Sequence, residues 1–169
     1  MLINQAEGSS EVLPEVFRDF FQGLPAAATV VTATWDGRPH ATTVSSFSSL
    51  SLDPPLVLIA LGVDSRLLGV VRRSNRFAVH LLTADQQHIA AACAARTEDK
   101  LAGIAWQETD GLPQIDGAAG WMACDVDRVV AAGDHDLVVG RPRTVQTSAG
   151  TDPLLYYRRR FHRLARPAA

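Results

Sequence analysis

Lysine is all but missing from this chain: of its 16 basic residues only Lys100 is a lysine, a bias of composition rather than of chemistry. Charge of one sign is missing too. The formal net charge is −2, with no basic block set apart from an acidic one, which excludes nucleic acid as the main partner. The two cysteines, Cys93 and Cys124, form no Cys-x-x-Cys pair and have no histidine at ligand spacing. That excludes a zinc module, predicts no metal site, and leaves both as small buried residues. No apolar run approaches the roughly 20 residues of a membrane span, and no basic start precedes an apolar core, so a soluble cytoplasmic protein is expected. Also missing are a Gly-rich dinucleotide fingerprint, a phosphate loop ending in Gly-Lys-Ser/Thr, a Gly-x-Ser-x-Gly elbow and a His-Glu-x-x-His pair. Any nicotinamide nucleotide must therefore be held other than across a βαβ crevice. Aromatic residues are scarce at 7%, so few rings are available to stack on a planar ligand.

What is present suits one domain. A chain of 169 residues with 47% hydrophobic content is long enough to bury its own core. Its most unusual stretch is Ala41-Thr42-Thr43-Val44-Ser45-Ser46-Phe47-Ser48-Ser49-Leu50-Ser51-Leu52-Asp53-Pro54-Pro55, where hydroxyl side chains crowd between apolar ones. The partial alternation from Val44 to Leu52 reads as a strand with one wet face. Asp53-Pro54-Pro55 stops it, because proline removes backbone donors, and Leu56 begins a second strand. Hydroxyls beside free backbone amides suit a ligand that is part heteroaromatic ring and part phosphate.

The rest of the chain alternates strand and helix signals. Leu13, Phe17, Phe20, Phe21 and Leu24 recur at helical spacing, which predicts an amphipathic helix that covers one end of a sheet. A β-branched strand over 28–35 ends at Asp36-Gly37, a hairpin turn signal, and runs back into the hydroxyl-rich strand, so the first three strands should form a meander. Asp64 or Ser65 caps a short helix that buries Leu67, Leu68, Val70 and Val71, and its N-terminus gathers amides, Ser65 and Arg66 as an anion site. His80 sits in a buried strand over 77–82 and reads as a hydrogen-bonded core residue. Thr83 and Gln86 make a capping box for a helix to about Ala95. Lys100 reads as solvated. Turn residues over 111–117 lead to a long strand, a turn at 131–134 and a returning strand over 135–147. The Arg158-Arg159-Arg160 cluster reads either as a solvated charge cluster or as one that draws phosphates toward a site.

Residues 41–55 resemble the flavin-binding signature of the flavin reductase-like family, Gly-Met-Thr-Ala-Asn-Ser-Phe-x-Ser-x-Ser-x-x-Pro-Pro, with Ala41 for glycine, Val44 for alanine and Ser45 for asparagine among the departures. Gly133-Asp134-His135-Asp136-Leu137-Val138-Val139-Gly140 is similar to its Gly-Asp-His-x-x-x-x-Gly motif. Weaker likenesses lie in 25–32, 77–82, Asp99-Lys100-Leu101 and Pro153-Leu154-Leu155-Tyr156, so the resemblance runs from about residue 17 to 164. It implies a mainly β, Greek-key-like split barrel of the FMN-binding type with short helices, homodimeric, with flavin near the subunit interface. The domain would cover 13–165, with a flexible arm over 1–12 and a tail over 166–169.

The resemblance implies hydride transfer from NADH or NADPH to N5 of FMN or FAD, with reduced flavin passed to a separate monooxygenase. Backbone groups of Thr43, Val44, Ser45 and Ser46 would meet the ring. Ser46, Ser48, Ser65 and Arg66 would meet the ribityl and phosphate end, and His135 with Tyr156 would position the nicotinamide. Two other readings stay open: a flavoprotein with tightly held FMN that reduces its own small substrate, and a flavin-binding module without turnover.

Overall fold

Residues 12–164 are described by the structure, a computed structural model. The arm expected over 1–12 lies outside them except for Val12, as does the tail over 166–169. Helix α1 (Pro14–Gln22) begins with a proline, whose fixed φ suits a first helical turn. None of its residues is buried. Phe17 and Phe20 are 58% and 74% exposed, so its apolar face covers no sheet among the described residues, contrary to the reading of its pattern.

After the short β1 (Ala26–Ala27), β2 (Thr29–Trp35) and β3 (Arg38–Val44) pair across Asp36-Gly37, both at positive φ (51° and 68°), a hairpin turn that follows the strands' own twist. The hydroxyl-rich stretch does not continue as one strand. It breaks at 45–47, and β4 (Ser48–Leu52) then pairs with β5 (Pro55–Gly62). Downstream come α2 (Arg66–Ser74), β6 (Arg76–Leu81), α3 (Gln87–Ala94), β7 (Trp106–Thr109), β8 (Leu112–Ile115), β9 (Gly120–Ala132), β10 (His135–Thr147), β11 (Leu154–Tyr157) and β12 (Arg160–Arg163).

The main sheet is antiparallel, in the order β3-β2-β6-β9-β10-β5-β4. The expected meander is therefore corrected, since β3 and β4 lie at opposite edges. Four Cα–Cα steps from Val44 to Ser48 reach at most about 15 Å, whereas six strand spacings measure roughly 29 Å on the flat. The sheet must roll until its edges meet. Ser46 fixes the crossing: its hydroxyl donates to the Ala60 carbonyl (3.0 Å) and accepts the Ala60 N–H (2.9 Å).

Side chains from β2 point alternately to two cores. Val31 and Ala33 pack with Leu67, Leu68, Val70 and Val71 of α2, while Val30 joins Ile89, Ala90 and Cys93 of α3. Thr83 and Gln86 do interact, Gln86 Oε1 accepting the Thr83 N–H (3.1 Å), but the helix starts later, at Gln87. The stretch over 111–117, read as turns, is half of a β7–β8 hairpin; its Asp110-Gly111 corner has positive φ (53° and 70°) and repeats the Asp-Gly signal of the first hairpin. A small sheet, β1-β11-β12, holds the tail, with Arg158-Arg159 at its turn.

The second motif is largely structural. A Cβ on Gly140 would lie 2.4 Å from Phe77 Cζ, so only glycine lets β10 pass over that ring. Asp136, 2% exposed, pairs with Arg72 and ties β10 to α2. Burial pushes the Cys93 and Cys124 thiols up to about 11 and about 12, as expected of inert core cysteines.

His80 is fully buried, with Nδ1 donating to the Val30 carbonyl (3.1 Å) in its neutral form. Burial lowers its pKa from 6.5 to about 4. The unfolded chain takes up that proton first, so stability present above pH 6.5 is lost as pH falls toward 4, by about 3 kcal/mol. Denaturant unfolding at about pH 7 and about pH 4.5 should show a smaller acid loss in His80→Asn than in the unaltered chain. An equal loss in both would contradict this.

Candidate functional site

Strand β3 runs along a groove made of three adjoining clefts. The first, about 370 Å³, is lined by His40, Ala41 and Thr42 of β3, Asp64 before α2, Ser65 and Arg66 at its start, and Arg96, Thr97, Glu98 and Lys100 after α3. Ser65 is the N-cap of α2 but its hydroxyl makes no capping bond, and its N–H is turned back to the Gly62 carbonyl (2.8 Å). Arg66 has no carboxylate partner among the described residues. Lys100, read from sequence as solvated, is half-buried and donates from Nζ to Thr42 Oγ1 (3.2 Å).

This end of the groove holds more positive charge than it neutralises. Burial, then the Arg66 and Arg38 guanidiniums, hold His40 below its usual 6.5. Burial likewise lowers Lys100, Cys93 opposes it, and Arg66 adds a smaller lowering effect. Like charges gathered beside helix amides favour an anion.

The second cleft, about 330 Å³, turns apolar. Thr43, Val44 and Ser45 line it with Ala28, Ala91, Ala94, Tyr156, Arg159 and Phe161. Thr43 Oγ1 donates to the Ala90 carbonyl (2.7 Å), which locks β3 to α3 and keeps the slot's wall in place. Tyr156 and Phe161 meet in a tilted ring pair with centroids 5.3 Å apart. The third cleft, about 850 Å³, continues past Ser45, Ser46 and Tyr156 to Phe17 and Phe21 of α1. From Ala41 to Ser46 the groove follows the end of β3 and the two residues after it, cationic at one end and apolar at the other.

Of the residues expected to act together, Ser65 and Arg66 line the first cleft, Thr43, Val44, Ser45 and Tyr156 the second, and Ser46 the third. The Thr43 and Ser46 hydroxyls are engaged with backbone, so these residues shape the wall rather than offer free side chains. Ser48 lies in β4, its hydroxyl on the Ser49 carbonyl (3.1 Å), and lines none of the three clefts. His135 also lines none of them. It is exposed, opposite Gly62 on β5, with Nδ1 2.7 Å from Asp134 Oδ1. Sequence reasoning missed His40, Arg96, Ala94 and Phe161. Only the Asp99-Lys100-Leu101 likeness pointed toward that side of the groove.

Residues 21–165 match the flavin reductase like domain. The chain belongs to this family. It is 40% identical over 154 residues to the NADH:riboflavin 5′-phosphate oxidoreductase of Streptomyces pristinaespiralis, covering 88% of this chain and 87% of that one. It is 33% identical over 157 residues to HsaB, the reductase subunit of a flavin-dependent monooxygenase of Rhodococcus jostii, covering 92% and 80%. Among solved structures, the NADH:FAD oxidoreductase SgcE6 of Streptomyces globisporus C-1027, in complex with NAD and FAD fragments, superposes with a TM-score of 0.88 at 31% identity, covering 95% of this chain and all of that one. The mainly β barrel with short helices is thus the fold of the flavin reductase-like family, as the resemblance implied.

The groove fits a flavin on its own terms. An apolar slot with one polar strand edge suits the ring, and the unpaired cations beside α2 suit the phosphate. In NMR titration, His40 should gain its proton below pH 6.5, and Arg66→Ala should raise that midpoint. A midpoint unmoved by the substitution would show that Arg66 does not shape the field there.

Proposed function

We propose that this chain is an NAD(P)H:flavin oxidoreductase, which reduces FMN or FAD with NADH or NADPH and supplies the reduced flavin to a separate flavin-dependent monooxygenase. The observation that carries the reading is the graded groove along β3, unpaired cations at the α2 end and an apolar slot at the Tyr156 end. The flavin would supply the redox chemistry, accepting hydride at N5 from C4 of the nicotinamide. The protein's work is to hold and orient. Ser65, Arg66 and Lys100 fix the phosphate. The wall from Thr43 to Ser46 borders the ring, where Ser45 and Ser46 stand beyond the end of the ladder.

Tyr156 closes the slot and, with His135, borders the nicotinamide. Asp134, held below the usual carboxylate range by its hydrogen bond to His135, orients that ring. The chain acts as a homodimer. The support is α1, whose phenylalanines stand uncovered beside the third cleft: a second copy would bury that face and finish the wall of the groove. Among the described residues no helix is long and apolar enough to cross a membrane, and a cytoplasmic place suits an enzyme of free nucleotides.

The test is to purify the protein without added flavin and follow the absorbance of NADH or NADPH with and without free FMN and FAD. Oxidation only when flavin is added is the expected result, from a particle of twice 18.2 kDa by light scattering. Flavin carried through gel filtration would favour a flavoprotein with its own substrate, and no oxidation under any combination would overturn the reading.

A further inference from the structure

A fourth cleft, about 440 Å³, opens next to the cationic end of the groove and shares His40 and Arg66 with it. Resting on the flavin reading of the groove, we infer that this cleft takes the adenosine monophosphate half of FAD, so that the chain distinguishes FAD from FMN.

Three guanidiniums from separate places meet there: Arg38 at the start of β3, Arg66 in the first turn of α2 and Arg73 in its last. None pairs with a carboxylate among the described residues, and Asp36 is the single acid on the lining. Unpaired arginines around a concavity repel one another until an anion with several oxygens bridges them, and their planar forks match phosphate oxygens. His40, held below its usual pKa partly by Arg66 and Arg38, reports the same field.

The cleft also has a flat aromatic wall. Trp35, 44% exposed at the end of β2, is one of the few large rings left open to solvent in this aromatic-poor chain. An indole face beside phosphate-binding arginines is the pairing that a nucleobase joined to a phosphate requires. Gly69 keeps the space open. It lies mid-helix in α2, where glycine is a poor choice, and a Cβ there would have nothing within 4 Å. The position lines the cleft, so the missing side chain leaves room for a ligand.

Connectivity selects FAD over the nicotinamide nucleotide. In FAD the second phosphate is bonded directly to the one placed at Ser65 and Arg66, so the chain of atoms passes straight from the first cleft to Arg38 and Arg73. A nicotinamide must instead reach the Tyr156 cleft, on the opposite side of the first cleft from Arg38 and Arg73.

Equilibrium titration of flavin fluorescence tests this with the whole protein. The unaltered chain should bind FAD roughly tenfold more tightly than FMN, and Trp35→Ala should weaken FAD roughly five- to tenfold while leaving FMN within about twofold. Gly69→Leu, which fills the cleft from a position with free space and a better helix former, should do the same. Equal affinity for FMN and FAD, or variants that weaken both alike, or variants that change only the KM for NADH or NADPH, would overturn the inference while sparing the groove. An unaltered protein that binds neither flavin would overturn the groove itself.

Discussion

The crossing from Val44 to Ser48 constrains the whole molecule. Three residues join strands that lie at opposite edges of a seven-stranded sheet, so the sheet has no choice but to close on itself. The Ser46 hydroxyl, donor and acceptor to the Ala60 backbone, holds the crossing where water would otherwise compete for those groups. Closure then leaves β3 on the outside of the roll between α2 and α3. The groove exists because the barrel has that seam.

Charge along the groove follows from the same arrangement. The start of α2 brings its amides, Ser65 and Arg66 to one end of β3, and the loop after α3 brings Lys100 to Thr42. Farther along, β11 and β12 supply Tyr156 and Phe161 opposite the small residues Ala91 and Ala94. A molecule with an anionic end and a planar apolar end meets a matching gradient. His40 and Lys100 both hold their protons less readily than usual, first because they are partly buried and then because Arg66 stands near them. Asp136 with Arg72 ties β10 to α2, and the glycine at 140 lets β10 pass close over Phe77.

Much of this was legible in residue order, because turns and periodicity are local. Asp36-Gly37 marked its hairpin, Pro54 and Pro55 marked the stop of the hydroxyl-rich strand, and the burial of Leu67, Leu68, Val70 and Val71 followed from helical spacing. The break at 45–47 was not legible. Nothing in the alternation of serines says that the strand leaves one sheet edge for the other; that depends on β6, β9 and β10 filling the space between. The same holds for Lys100 and His40, which become site residues only when the loop after α3 folds over β3. The α1 helix was found from its spacing, but among the described residues its apolar face is left unburied. His135 sits on a hairpin tip beside Gly62, a position that its motif alone does not give.

A crystal structure of the protein grown with FMN tests the central claim most directly. The account predicts the phosphate within hydrogen-bonding distance of Ser65 and Arg66, and the ring in the slot between the Thr43 to Ser46 wall and Tyr156. A phosphate held instead by the Arg158-Arg159 turn, with the ring away from β3, would contradict it.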